Sequence, residues 1–266
     1  MLHQPVYENL LNMAALENFT RYFSVDLALT PEQKQRVYEI RYRVYCEELH
    51  YLDVEKDDVQ GFGEGMEQDE FDERSIHILV THRQTNRPAG CVRLVISNDS
   101  LYDQPLPMEK FCLKSLSVRA VELLNEDRSR IGEISRLAVD PYFRRRDGER
   151  YHLYGKNGAL DINHQEKRAF SLVAVAGLMA SAAAAELAGR GHVFAMMHPA
   201  LPRLMARSGF VFEQIGDVID YHGKRAPYRI TADSYHRTLP NNLRDFYYDL
   251  YDSFQSRYER SSFSVM

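Results

Sequence analysis

The segment Gly132-Glu133-Ile134-Ser135-Arg136-Leu137-Ala138-Val139-Asp140 reads as a core strand with polar side chains set into it. Ile134, Leu137, Ala138 and Val139 are apolar and strand-forming, whereas Glu133, Ser135 and Arg136 are foreign to a buried strand, because an unpaired buried charge is costly. Alternation along a strand sends Glu133 and Arg136 to opposite faces. A bulge, one extra residue in the ladder, would bring them to one side. Charges placed like this suit chemistry better than packing. A carboxyl whose pKa is raised by burial can serve as a general base near neutral pH. Glu133 is that candidate, with Ser135 beside it; the alternative is that Glu133 only neutralises Arg93 or Arg136.

Further charged and aromatic residues lie upstream: Arg41-Tyr42-Arg43-Val44-Tyr45, then Tyr51, then Asp69-Glu70-Phe71-Asp72, then Gly90-Cys91-Val92-Arg93-Leu94. This order, ending in Glu133-Ile134-Ser135-Arg136, resembles the acyl-homoserine-lactone synthases and the related N-acyl amino acid synthases. Both belong to the GNAT-like acyltransferases, and the resemblance spans roughly residues 20 to 230. Closer still, the chain looks like the acyltransferases associated with PEP-CTERM/exosortase systems. The resemblance implies transfer of a fatty acyl group from an acyl carrier protein to the amine of an amino acid or derivative. It implies that Glu133, the glutamate of an E-x-x-R signature, is the base, directly or through water. Asp69 and Asp72 match the family's D-x-x-D, and Arg41, Arg93 and Arg136 its three arginines, a cluster that orders the N-terminal lobe and shapes the acceptor pocket. Asp69 either contacts the acceptor amine or pairs with arginine as scaffold. Tyr45 and Tyr51 stand where the synthases usually carry phenylalanine and tryptophan, and this chain has no tryptophan. That keeps the aromatic wall and adds hydroxyls, and the departure leaves the acceptor open rather than assigning it as the homoserine-lactone precursor.

The implied donor is a thioester on a phosphopantetheine arm, entering a splay between the parallel strands Gly132–Asp140 and His192–Met197. Acetyl-CoA-dependent relatives cradle the pyrophosphate in a Q/R-x-x-G-x-G/A loop. Here the nearest match is Arg145-Arg146-Asp147-Gly148-Glu149-Arg150, in which Arg150 replaces a small residue. The departure favours a carrier-protein donor over acyl-CoA, which stays the alternative, and no tightly bound cofactor is expected. The basic residues Arg144, Arg145, Arg146, Arg150 and Lys156 would complement an acidic carrier protein; a solvated face, or contact with the chain's own acidic loop, is the plainer reading. An apolar acyl tunnel would draw on Leu178, Phe194, Met196 and Met197, with Ala180 and Ala182 leaving room beside a helix.

The elements that must position these residues follow from patterning. Thr30, Pro31 and Gln33 form a helix start with a capping box, and Arg41 interrupts that helix's apolar face. It either snorkels to water or pairs with an acid of residues 53–73, which hold ten acids and one lysine. Acids in that loop fall partly on calcium-loop spacing, but Asp58 stands where the loop needs glycine, so no metal is expected. Residues 8–23 read as a helix, Ile76–Thr81 and Ala89–Ser97 as a hairpin, Pro107–Phe111 and Ser117–Asn125 as helices. A long helix of about 168–188, strand His192–Met197, a short helix Pro202–Ser208, and strands at Phe210–Ile215 and Ile219–Ile230 complete an α/β pattern. The expected fold is GNAT-like, a central mixed sheet with splayed parallel strands and helices on both faces. Residues 1–235 form the acyltransferase domain and 236–266 a helical extension with Phe246, Tyr247, Tyr251, Phe254 and Tyr258 at helical spacing. That stripe covers its own domain, a second subunit (making a homodimer) or a ligand.

Composition bounds the rest. The 266 residues are 44% hydrophobic and 27% charged, enough for one core, and the net charge of -5 argues against a general nucleic-acid binder. Three widely spaced cysteines suggest neither a disulfide framework nor a zinc site. The N-terminus does not read as a secretory signal, and the apolar run Phe170–Ala185 is short for a membrane span, so a cytoplasmic location is expected. No H-E-x-x-H, G-x-S-x-G or Walker motif is present.

Overall fold

Helices α1 (Met13–Tyr22) and α2 (Pro31–Arg41) flank strand β1 (Phe23–Leu27) in the computed structural model, which describes residues 13–51, 65–97, 105–144, 169 and 172–260. The remaining elements are β2 (Ser75–His82), β3 (Arg87–Ile96), α3 (Pro107–Cys112), α4 (Val118–Glu126), β4 (Ile131–Val139), α5 (Pro141–Arg144), α6 (Val173–Leu187), β5 (His192–Met197), α7 (Ala200–Met205), β6 (Glu213–Gln214), β7 (Ile219–Asp220), β8 (Lys224–Thr231), α8 (Ala232–Thr238) and α9 (Asn241–Tyr258). The predicted capping box is present, with the Thr30 side chain accepting from Gln33 N–H and the Gln33 side chain accepting from Thr30 N–H. The first helix starts its described part at Met13 and gives way to β1 at Phe23. The strand expected over 210–215 shrinks to Glu213–Gln214, paired with the distal half of β8.

The sheet runs β1-β2-β3-β4-β5-β8-β6, with β7 paired to β8. Every pairing is antiparallel except β4 with β5. The parallel pair is short: Ile131↔His192, Gly132↔Val193 and Glu133↔Phe194, after which the strands part.

Strand alternation sorts the side chains. One face gives Ile76, Ile78, Val80, Val92, Leu94, Ile134, Val193, Ala195 and Met197 to a core covered by α6 and α9. The other face splits. Leu79, Cys91 and Ala138 pack under Val37 and Ile40 of α2, while Val95, Ile131 and Phe194 pack under Met108, Ala120 and Leu124 of α3 and α4. The charged residues sit on this second face, in strand positions between the two apolar groups. Helix α6 lies close to the sheet because Gly177 permits it; an added Cβ would stand 2.9 Å from Val92 Cγ2.

The described part of the aromatic extension belongs to the same core. Phe246, Tyr247, Leu250, Phe254 and Tyr258 of α9 are buried there with residues of α6 and β1. Among the described residues no helix is long and apolar enough to cross a membrane. Arg145, Arg146, Arg150 and Lys156, and with them the loop compared with a pyrophosphate nest, lie outside the described residues.

Candidate active site

Arg41 ends α2 pointing inward, and its guanidinium is fully buried. It does not snorkel. Its Nε donates to Glu67, and its Nη1 to Asp72 Oδ1 at 2.6 Å. Arg93, equally buried on β3, donates from Nη1 to Asp69 and to Asp72 Oδ1 at 2.9 Å, and from Nε to Ser135 Oγ at 3.0 Å. Arg136 donates to Glu67 Oε1 at 3.1 Å and to Asp69 Oδ2 at 3.0 Å. Three arginines thus meet three carboxylates, and the cluster is charge-balanced.

The electrostatics follow from this pairing. Burial pushes Glu67 and Asp72 upward, but the facing arginines win and hold both below their ordinary range, Glu67 at about 2. His77, under Asp72, is driven down to about 4 by burial, so it is neutral at pH 7. Arg41 Nη2, Arg93 Nη2 and His77 Nδ1 keep unused hydrogen-bonding capacity among the described residues.

Glu133 differs in kind. It is buried, takes no arginine hydrogen bond among the described residues, and its Oε2 accepts the Met108 N–H of α3 at 2.9 Å. Burial raises its pKa to about 8, more than the Met108 amide and Arg93 lower it. It is a carboxyl that exchanges a proton near neutrality, at the rung where β4 and β5 separate.

The bulge lies just beyond. Cys91 pairs with Ala138 and Arg93 with Ser135, so β4 carries one extra residue. Arg136 absorbs it with φ +52°, a left-handed conformation that costs a non-glycine residue about 1–3 kcal/mol. Ser135 and Arg136 therefore share the face of Glu133, while Ile134 and Leu137 turn to the α6 core. The hydroxyl of Tyr45 holds the bulge by donating to Leu137 O at 2.8 Å. Tyr45 comes from a π-helical turn, Tyr42–Glu48, that continues α2; such wide turns recur at functional sites. Tyr45→Phe keeps the ring and removes that bond, and is expected to cost about 1 kcal/mol in denaturant unfolding. An unchanged midpoint would detach the hydroxyl from the bulge.

Tyr51 follows the π turn, its ring 6.1 Å from His222 and 5.6 Å from the Arg225 guanidinium. His222 and Tyr221 occupy the tip of the β7–β8 hairpin, where His222 and Gly223 take positive φ. Tyr221 stacks on Phe111 at 6.1 Å, and Phe111 meets Phe71 at 6.1 Å. The hairpin leans on the α3–α4 connection through Gly216, where an added Cβ would stand 2.0 Å from Ser115 O.

The structure thus brings together Arg41, Tyr45, Asp69, Asp72, Arg93, Glu133, Ser135 and Arg136, and Tyr51 is tied to Tyr45 by its backbone N–H donating to Tyr45 O at 2.9 Å. Phe194 and Met196 lie on the same face, against α3 and α4. Met197 faces the other way, into the α6 core, because it is one residue out of step with Met196. Arg144 pairs with Glu48 across the surface, outside the acidic loop of residues 53–73. Sequence reasoning missed Glu67, the fully buried acid shared by Arg41 and Arg136; it is one of ten acids in its loop and nothing local distinguishes it. It also missed the Met108 amide and Tyr221.

Residues 40–153 match the family model of the acetyltransferase (GNAT) domain. No curated relative matches the chain. Among solved structures, TofI in a ternary complex with an inhibitor and MTA is 16% identical, with a TM-score of 0.55 over 84% of this chain and 99% of that one. FeeM, an N-acyl amino acid synthase from uncultured soil microbes, is 12% identical, with a TM-score of 0.53 over 84% and 97%. BjaI, a CoA-dependent acyl-homoserine lactone synthase, here with MTA, is 18% identical, with a TM-score of 0.55 over 85% and 89%. At such identities the likeness is one of fold. This chain has the fold of these proteins, and residues 40–153 are similar to the GNAT acetyltransferase domain.

Proposed function

We propose that the protein is an N-acyltransferase that moves a fatty acyl group from a phosphopantetheine thioester to the amine of an amino acid or derivative. The observation that carries this reading is the position of Glu133, a buried carboxyl with a pKa near 8 at the fork of the only parallel strand pair described. A base is most effective when its pKa lies near the working pH. The amine nitrogen attacks the thioester carbonyl while ionised Glu133 takes its proton, directly or through one water. The C–S bond breaks, and the proton passes to the departing thiolate. Beyond Glu133 the edge of β4 has no partner in β5, leaving backbone N–H groups to polarise the carbonyl. Arg93 and Arg136 organise the cluster and hold the bulge. Asp69 and Asp72 position the acceptor side of the cleft; Asp69 retains 14% exposure of its side chain for this.

An acyl carrier protein is the proposed donor, on the strength of the poor pyrophosphate loop at Arg145–Arg150. Acyl-CoA is the second reading, favoured by the likeness in fold to BjaI, which is CoA-dependent. One experiment separates them. Purified protein is offered acyl carrier proteins and acyl-CoAs with pooled amino acids, and free thiol and amide are followed by mass spectrometry. Amide from the carrier-protein donor alone is the expected result and identifies the acceptor. Amide from acyl-CoA alone would replace the donor, and thiol release without amide would overturn N-acylation.

A further inference from the structure

Tyr221 stands at the tip of the β7–β8 hairpin, where its N–H donates to Gly223 O at 2.9 Å and the Gly223 N–H to Asp220 Oδ1 at 3.1 Å. The approach to the hairpin is fixed as well. Ser117 N–H donates to Ile215 O at 3.0 Å, and Asp217 N–H to Ser115 O at 2.7 Å. The Tyr221 ring stacks on Phe111 of α3, the helix whose Met108 N–H holds Glu133. One short helix thus places both the base and the tyrosine.

The Tyr221 side chain is half-buried, and its hydroxyl has no hydrogen-bond partner among the described residues. That hydroxyl lies within electrostatic reach of Arg136, Cys112, Glu133 and Asp69, and burial raises its pKa above the ordinary tyrosine value. It is a neutral donor at any working pH. The other donors of the cluster are committed. Arg136 donates to Glu67 and Asp69, and Arg93 to Asp69, Asp72 and Ser135. Arg93 Nη2 is unmatched but shut off from solvent. On the hairpin, Arg225 turns its guanidinium to the Tyr51 ring. An amine that reaches Glu133 and Asp69 while carrying a carboxylate on the next carbon brings a further negative group to an edge that already holds two acids. Like charges at that range repel unless a donor answers them. The Tyr221 hydroxyl can do so without disturbing the charge balance.

We propose that the Tyr221 hydroxyl donates to the acceptor's carboxylate, so that the site selects amines with a free carboxylate on the adjacent carbon. The inference rests on the acyl-transfer reading above. An amine without that group leaves Tyr221 unpaired, and a site built to hydrogen-bond a substrate group discriminates against the analogue that lacks it.

The test uses the full chain with dodecanoyl carrier protein and dodecanoyl-CoA. Acceptors are matched pairs, leucine with isopentylamine and phenylalanine with phenethylamine, each pair differing by one carboxylate, and kcat/KM is compared within a pair. The amino acid is expected to exceed its amine by roughly tenfold or more, the worth of a hydrogen bond to a charged group. Tyr221→Phe keeps the ring and its stack on Phe111, and should bring that ratio close to one, chiefly by raising KM for the amino acid. Arg225→Gln serves as the comparison. Equal use of both members of a pair, a ratio that survives Tyr221→Phe, or a ratio lost only in Arg225→Gln would each overturn the proposal while amide formation upheld the transferase. In parallel, calorimetry measures binding of the same acceptors to the wild-type protein and Tyr221→Phe. If no amide forms, yet the amino acid binds better than its amine and Tyr221→Phe abolishes the difference, the Tyr221 assignment stands and the transferase reading falls. If no amide forms and the acceptors do not bind, or the difference persists in Tyr221→Phe, both fall.

Discussion

Glu133→Gln is expected to lower turnover by a hundredfold or more, the usual worth of a positioned general base, in a protein that stays folded. Glutamine matches the shape of glutamate and can still accept the Met108 N–H. It cannot take a proton. In the wild-type protein, activity should rise with pH through about 8, where Glu133 ionises in the folded state; in the variant that rise should vanish. The same shift makes a stability prediction. The folded-state pKa of about 8 lies above the ordinary 4.5, so between these values the unfolded chain ionises Glu133 and the folded one does not. Wild-type stability should therefore fall as pH climbs from about 4.5 to 8, at up to about 1.4 kcal/mol per unit, then level off. Above pH 8 the Gln variant should be the more stable protein and the less active one. Near-normal turnover in a folded variant would remove Glu133 from the role of base.

Glu67→Ala carries the largest expected effect on stability, about 3–5 kcal/mol in denaturant unfolding. Glu67 is the carboxylate between Arg41 and Arg136, and both it and Arg41 are shut off from solvent. Removing it leaves Arg41 with Asp72 as its only anionic partner among the described residues, with one guanidinium nitrogen already unmatched. It also frees Arg136 from one of the two acids that hold the bulge, so acceptor turnover should fall with stability. The sign with pH is opposite to that of Glu133. Its folded-state value of about 2 lies below the ordinary 4.5. Its contribution is therefore complete above about pH 4.5 and is lost as pH falls toward 2. The wild-type protein should lose stability over that acid range more steeply than Glu67→Ala. Equal slopes, or a cost under about 1 kcal/mol, would show that the cluster is solvated and does little.

Much of this arrangement could be read before folding. The Thr30 capping box is local chemistry, and it formed. The polar residues inside Gly132–Asp140 called for a bulge, since alternation alone would have buried a charge on the apolar face, and the bulge is there at Arg136. Arg41 within an apolar stripe announced a buried ion pair or a snorkelling side chain; choosing between them required the loop's path. Other features had no local signal. Glu67 looks like its neighbours in an acidic loop. The Met108 amide that holds Glu133 belongs to every residue type alike. Phe194 and Met197 are equally apolar; alternation sends them to opposite faces, but only the packing of helices on the sheet decides that Phe194 meets α3 and α4 and Met197 meets α6. An apolar hollow behind the sheet joins residues of β4, α6, β5, β8, α8 and α9, spread from Ile134 to Tyr247, and no spacing could reveal it.

The sequence by itself determined the inventory: where helices start, which strand must bulge, and which acids and arginines stand ready, because capping, periodicity and the cost of buried charge act over a few residues. The tertiary structure decided the assignments. It placed three carboxylates among three arginines and buried Glu133 without an ion pair among the described residues. Identical side chains thereby acquired opposite pKa shifts, Glu67 down and Glu133 up. That division depends on burial and on which charges come within a few ångströms, and such distances exist only once the chain has closed on itself.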